Sequence, residues 1–327
     1  MPNPLLLSEA DLEPLVRDPS SMDSAIDALE LATVRYYQGR VRERGFVDET
    51  QELSPNTVVQ LSFAADDGQV CGYQMFAEAS GGMDPTLPDA RFVTLLDPAT
   101  RQLRALVDYR SLSPLRVGAT GGIGLRHLAP PGARIAGILG SAQQARGQLQ
   151  AIARTVPDLE RARVYSLTAQ HREAFAREMT AWLEIPVEPV ATAREATEGA
   201  DVIAVANASG GPILDLAWVK PGGVVVSIGG SRMPDAVLQG SRVVASTWDR
   251  LVNREPYASA IKAGTFRRAD AVELAELTLG SATVRCVPED VVIFELGVIN
   301  IWAVATAEWA YQWALKQGVG TRFSLSE

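Results

Sequence analysis

Cysteine and histidine are almost missing from this chain, with two of each in 327 residues. Cys71 and Cys286 fit neither a disulfide framework nor a metal-ligand spacing. His127 and His171 are too few for a histidine-based metal site, so no metal is expected. A reducing cytoplasm is the simplest compartment for such a chain. Positive charge is scattered along the chain and outnumbered by negative charge, 30 Lys and Arg against 39 Asp and Glu. The net charge of −9 argues against a general binder of nucleic acid or membrane surfaces. The densest basic group, Arg40, Arg42 and Arg44, has Glu43 and Asp48 beside it. No uncharged apolar run approaches the roughly 18 residues that a spanning helix needs. Residues Met1 to Glu9 lack the basic start and apolar core of a signal peptide. What remains is ordinary for a globular protein, 47% hydrophobic and 21% charged, and long enough for two domains.

The stretch from Ala133 to Thr168 organises the rest. Arg134 to Leu139 reads as a strand buried on both faces, and Arg163 to Leu167 as a second one. Between them lie a turn and a segment compatible with a helix to about Thr155. The turn, Gly140-Ser141-Ala142-Gln143-Gln144-Ala145, is Gly-x-Ala-x-x-Ala where a dinucleotide-binding βαβ unit has Gly-x-Gly-x-x-Gly/Ala. Gly140 permits the tight turn, Ala142 stands where backbone approaches a pyrophosphate, and Ala145 lets helix and sheet pack closely. The helix N-terminus, at Gln143 and Gln144, offers unpaired N–H groups to phosphate. A glycine turn in any parallel α/β fold is the bland alternative.

Before this stretch, Ser8 to Val16 and Ser21 to Gln38 read as helices, the first with Ser8 and Asp11 as a capping box. Thr57 to Phe63, Val70 to Phe76, Arg91 to Leu96 and Leu103 to Asp108 read as strands joined by hairpins, so residues 1–115 form an α+β domain. Ser111 to Leu128 is a connecting helix. Its four glycines, Gly118, Gly121, Gly122 and Gly124, each cost about 1 kcal/mol against alanine. They imply close approach by another helix or a ligand. Beyond residue 168, strands and helices alternate to about residue 246, which implies a doubly wound parallel sheet. The chain closes on a helix in which Val298, Trp302, Ala305, Trp309 and Trp313 fall at helical spacing, as core or subunit contact.

Five motifs then fall in one order: Leu115-Arg116-Val117-Gly118-Ala119-Thr120-Gly121-Gly122, Gly137 to Arg146, Gly199-Ala200-Asp201-Val202-Ile203, Trp218-Val219-Lys220-Pro221-Gly222-Gly223 and Ser227-Ile228-Gly229-Gly230. The set resembles the ornithine cyclodeaminase/mu-crystallin family over nearly the whole chain. The resemblance implies a Rossmann-type domain, residues 116–296 with the connecting helix. It would be inserted in a substrate-binding and dimerisation domain, residues 1–115 plus 297–327, with the protein working as a homodimer. It also implies that Arg116 holds a substrate carboxylate, for which a planar guanidinium is suited. Arg44 is the candidate for a second family arginine, with Arg42 as its competitor.

Two departures bear on the chemistry. Gln74 stands where the family commonly has lysine, and Ser231 follows Gly229-Gly230 where the cyclodeaminases have aspartate. Serine cannot replace a carboxylate in general base work near neutral pH, which speaks against ornithine cyclodeamination. At the end of the second strand of the βαβ unit there is no Asp or Glu to bind ribose hydroxyls. Ser166, Thr168 and Arg172 suit a 2′-phosphate instead, favouring NADP(H) over NAD(H). Asn207 and Ser209 sit past the fourth strand, at the carboxyl edge of the sheet. With Thr120 of the connecting helix and Gly229 they complete the expected cofactor set. The resulting expectation is an NAD(P)H-dependent oxidoreductase acting on an imino or amino acid, with Arg116, Gln74 and Ser231 at the reacting end. A non-catalytic NADPH-binding protein of the mu-crystallin kind and a divergent cyclodeaminase are the alternatives.

Overall fold

A computed structural model describes residues 3–48, 57–79, 90–207, 213–228 and 232–324, with backbone alone at 45–48, 57–60 and 78–79. The chain divides into two compact units, Met1–Arg116 with Ile299–Glu327, and Val117–Val298.

The first unit begins with β1 (Leu5–Leu7), α1 (Glu9–Arg17) and α2 (Ser21–Tyr37). The Ser8 hydroxyl and the Asp11 carboxylate cap α1 reciprocally, as the sequence indicates. Five strands follow: β2 (Val41–Asp48), β3 (Thr57–Asp66), β4 (Val70–Ala79), β5 (Ala90–Leu96) and β6 (Leu103–Asp108). The basic group at Arg42 and Arg44 thus lies in a strand, which its high charge disguised. The short C-terminal pair Thr321–Arg322 adds to β1, and the sheet then runs β1-β6-β5-β4-β3-β2. Only β1 and β6 pair in parallel among these.

Alternation separates the faces of this sheet. Ser62, Ala64, Gly72, Gln74, Val93, Leu95, Ala105 and Val107 are buried. The C-terminal helix, Ile301–Gln317, covers that face. A Cβ at Gly72 would lie 2.4 Å from the Thr94 carbonyl oxygen and 3.3 Å from Val304. Trp302 is fully buried and donates its indole N–H to the Thr33 hydroxyl at 2.8 Å. Trp309 similarly reaches Ser24 at 3.2 Å. The opposite face carries Leu6, Leu61 and Tyr73 exposed, with Phe63 and Phe92 half-buried.

The connecting helix α3 (Leu112–Leu128) leads into the second unit. Among the described residues its strands are β7 (Ile135–Leu139), β8 (Arg161–Tyr165), β9 (Val187–Pro189), β10 (Val202–Val205), β11 (Val224–Ile228), β12 (Arg242–Ala245), β13 (Ala271–Glu273) and β14 (Val292–Leu296). All pair in parallel, in the order β13-β12-β14-β11-β10-β7-β8-β9. The strand order reverses direction between β7 and β10, the switch point of a doubly wound sheet, outside which ligands bind. Helices α4 (Gln143–Thr155) and α5 (Ala169–Leu183) follow β7 and β8. Continuous burial of β10 and β11 accounts for their Val/Ile/Ala runs, which only Ser227 of β11 interrupts. Among the described residues no helix is long and apolar enough to cross a membrane.

Candidate functional site

In the second unit the glycine turn has the geometry its residues allow. Gly140 sits at φ 120°, a backbone conformation that favours glycine. A Cβ there would also lie 2.6 Å from the Ala206 carbonyl oxygen, so two strand ends meet at the switch point with no room for a side chain. Ala142 is the N-cap of α4 and is exposed, so its methyl takes no space from the turn. Being alanine, it has no side-chain oxygen to cap α4, and its carbonyl accepts from Ala145 and Arg146. The N–H groups at Gln143 and Gln144 stay available to an anion.

The hydroxyls of Ser141 and Ser166 meet at 2.9 Å, joining the turn to the end of β8. Arg172 donates to the Ser166 carbonyl at 3.0 Å, and Ser166 donates to that of Thr168 at 3.3 Å. Ser141, Ser166, Thr168 and Arg172 are therefore one cluster at the carboxyl ends of β7 and β8. Sequence reasoning missed Arg146 here. It follows the Gly-x-Ala-x-x-Ala turn directly, donates to the Ser141 carbonyl at 2.9 Å and pairs with Glu178 at 2.6 Å. Asn207 is half-buried just past Ala206, which pairs with Leu139. Thr120 is fully buried in α3 and donates to the Val117 carbonyl, so its hydroxyl is engaged within its own helix. Ser209, Gly229 and Ser231 lie outside the described residues.

In the first unit a second set of polar side chains is buried, Gln74 on the sheet face that the C-terminal helix covers and Arg116 beside Tyr109. Arg116 is only 6% exposed, and its Nε has no hydrogen-bond partner among the described residues. Gln74 is 2% exposed, with its Oε1 accepting from Ser62 at 3.4 Å and its Nε2 without a partner among the described residues. The same holds for the buried Tyr109 hydroxyl. Burial raises the Tyr109 pKa above its ordinary value, against the charge of Arg116 and the hydroxyl of Thr306, which pull it down. Buried polar groups are normally satisfied, so a cluster of orphaned donors marks a place for a polar ligand.

Arg44 does not join this cluster. It is exposed on β2 and lies in register with Phe63, which pairs with Tyr73, on the face opposite Gln74. Its neighbour Glu43 has the inward position, and its Oε2 accepts from the amides of Asn300 and Ile301 at 2.9 and 3.3 Å. That carboxylate complements the positive end of the C-terminal helix. Strand alternation from the buried Val41 carries the signal that separates the two, once Val41–Asp48 is known to be a strand.

The ornithine cyclodeaminase/mu-crystallin family profile matches residues 10–318. The chain is 28% identical over 239 residues to a Delta(1)-pyrroline-2-carboxylate reductase of Bacillus cereus, covering 70% of this chain and 73% of that protein. It is 26% identical over 338 residues to an alanine dehydrogenase of Archaeoglobus fulgidus, 97% of each. Its fold matches Thermococcus litoralis Delta(1)-pyrroline-2-carboxylate reductase in complex with NADH and L-proline, with a TM-score of 0.88 and 28% identity over 98% of this chain and all 100% of that one. An archaeal alanine dehydrogenase dimer with bound NAD matches with a TM-score of 0.85 and 25% identity over 99% of each chain.

Proposed function

Because the chain belongs to the ornithine cyclodeaminase/mu-crystallin family, we propose that it is an NAD(P)H-dependent oxidoreductase that reduces a 2-imino acid, or oxidises the corresponding amino acid in reverse. The observation that carries this reading is the buried Arg116 guanidinium, with Nε left without a partner among the described residues. A permanent charge taken out of water is costly unless a partner arrives, and a substrate carboxylate is a fitting one. Gln74 offers a second, neutral donor through its Nε2.

The residues of the second unit fit a dinucleotide. Gly140 and the open amides at the start of α4 suit a pyrophosphate, and the Ser141–Ser166 pair suits ribose. The absence of an acid at the end of β8, together with Arg172 against Ser166, supports NADP(H) over NAD(H). When bound, the nicotinamide supplies a hydride to the imine carbon. The chain's own part is to fix the carboxylate through Arg116 and so orient the C=N bond. An iminium substrate arrives already protonated, so the site needs no strong acid. A homodimer is supported by the apolar outer sheet face of the first unit, where Leu6, Leu61 and Tyr73 are exposed.

Incubation with NADPH or NADH and a panel of cyclic and linear 2-imino acids, followed by nicotinamide absorbance, is the test. Oxidation of NADPH in preference to NADH with at least one substrate is expected. Tight NADPH binding with no turnover of any substrate would replace this reading by the non-catalytic one, which Gln74 in place of lysine favours. Ammonia release from ornithine without net cofactor change would replace it by a cyclodeaminase.

A further inference from the structure

Tyr109 stands in none of the motifs, yet its side chain is among the most deeply buried in the first unit. Its backbone is tied on both sides. The amide donates to the Arg91 carbonyl at 2.9 Å, extending the β5–β6 ladder by one residue. The carbonyl accepts from Ser113 at 2.9 Å, opening α3. The ring therefore points inward, on the face that carries Val107 and Ala105.

Among the described residues the hydroxyl at the end of that ring has no hydrogen-bond partner. Its surroundings explain why. Arg116 lies beside it, and a guanidinium has donors only. Thr306 is also near, but its own proton goes to the Trp302 carbonyl at 2.7 Å. The phenol proton, the Arg116 Nε–H and the Gln74 Nε2 are three buried donors without acceptors among the described residues. Gln74 is on the same sheet face, two strands and two residues away by register, about 12 Å between backbones. A carboxylate accepts up to four hydrogen bonds and would satisfy all three.

We propose that Tyr109 is a substrate contact that donates to the carboxylate held by Arg116, so that one charge and two neutral donors, Tyr109 and Gln74, form the anchor. This rests on the reading of the first unit as the substrate-binding one. The arrangement makes Tyr109 a specificity-determining residue: it selects substrates with a free carboxylate where Gln74 supplies no charge. Its part is uniform binding, present in ground and transition states alike.

The test compares wild type with Y109F, which keeps the ring. With NADPH and Δ1-pyrroline-2-carboxylate, Y109F should raise KM about tenfold and leave kcat within about twofold, as loss of one hydrogen bond to a charged group implies. Without ligand, the Tm of Y109F should equal or exceed that of wild type, because an unpartnered hydroxyl has been removed. Pyridine-2-carboxylate, which cannot be reduced, serves as a binding probe in the presence of NADPH. Its stabilisation of wild type should weaken about tenfold in apparent Kd in Y109F. An unchanged KM and Kd would overturn the proposal. So would a lowered Tm with unchanged Kd, which marks a structural hydroxyl, or a fall in kcat with a shifted alkaline limb, which marks a proton donor. If wild type reduces no imino acid but binds pyridine-2-carboxylate through Tyr109, the functional reading fails and the contact stands.

Discussion

The ammonium of Lys220 closes on Oδ1 of Asp201, while Oδ2 of the same carboxylate accepts from the amides of Arg134 and Ile135 at 2.8 Å each. Asp201 opens β10, and the two amides open β7, so one side chain sets the register of the two strands that frame the switch point. Lys220 reaches it from the segment before β11. Two of the five motifs, around Asp201 and Lys220, are thus a structural clamp.

Burial pushes the Asp201 carboxyl up, but Lys220 and the two amides outweigh it and hold the pKa below its ordinary 3.8. Its stabilisation is therefore present above the unfolded value and lost as pH falls through the lower folded value. D201N should cost about 1–3 kcal/mol at neutral pH. The deficit relative to wild type should shrink on acidification below the ordinary carboxylate range. Thermal melts at neutral pH and near pH 3 check both statements, and a pH-independent deficit would contradict them.

Gly118 of α3 faces Gly147 of α4 with no side chain between. A Cβ at Gly118 would lie 2.1 Å from the Gly147 carbonyl oxygen. Gln148 closes the same contact, donating to the Val117 carbonyl at 2.6 Å. G118A should lower stability by about 1–3 kcal/mol through overpacking, despite the better helix propensity of alanine. A Tm at or above that of wild type would mean the helices separate at no cost.

Arg116 should not tolerate its nearest charged substitute. R116K keeps the positive charge but loses the planar fork, and should reduce kcat/KM for the imino acid about 30- to 100-fold, or about 2–3 kcal/mol. The KM for NADPH should hold within about twofold. Steady-state kinetics with each substrate varied in turn measures both.

The proposed preference for NADP(H) is tested at Arg172. R172A should raise the KM for NADPH about tenfold and leave that for NADH near the wild-type value, because only the first has a 2′-phosphate to lose. An equal effect on both cofactors would assign Arg172 to holding Ser166 in place instead.

Buried ionic groups in the second unit add a prediction of opposite sign. Arg254 pairs with Glu295 at 2.9 Å, and Glu295 is 1% exposed on its side chain. Burial raises the Glu295 pKa, with Arg254, Ser227 and Tyr257 opposing it. A raised carboxyl pKa means stability present at low pH and lost as pH rises through the folded value. R254M removes the opposing charge and should destabilise by about 3–5 kcal/mol at neutral pH. The loss should be smaller under mildly acidic conditions. Chemical denaturation at two pH values reads the difference.

Local periodicity made most elements legible, because a buried strand and an amphipathic helix each leave a pattern in adjacent residues. The hairpins of β3 to β6, the glycine turn and the C-terminal helix are of this kind. Val41–Asp48 was not, since Arg42, Glu43 and Arg44 are charged and their strand is decided by pairing with β3. β8 begins at Arg161, two residues before the expected Arg163, because its register is set by β7.

The sequence by itself determined the doubly wound order of strands and helices, the turn at Gly140, and Arg116 as the charge to watch. Each rests on chemistry within a few consecutive residues: a φ only glycine favours, a run of apolar residues, a guanidinium beside glycines. Only the tertiary structure decided which polar groups share a face. It turned Arg44 away from Gln74 and put Glu43 at the start of the C-terminal helix. It also brought the Tyr109 hydroxyl beside Arg116 with no acceptor for its proton among the described residues. Those relations depend on strand register and on burial, which no local pattern encodes.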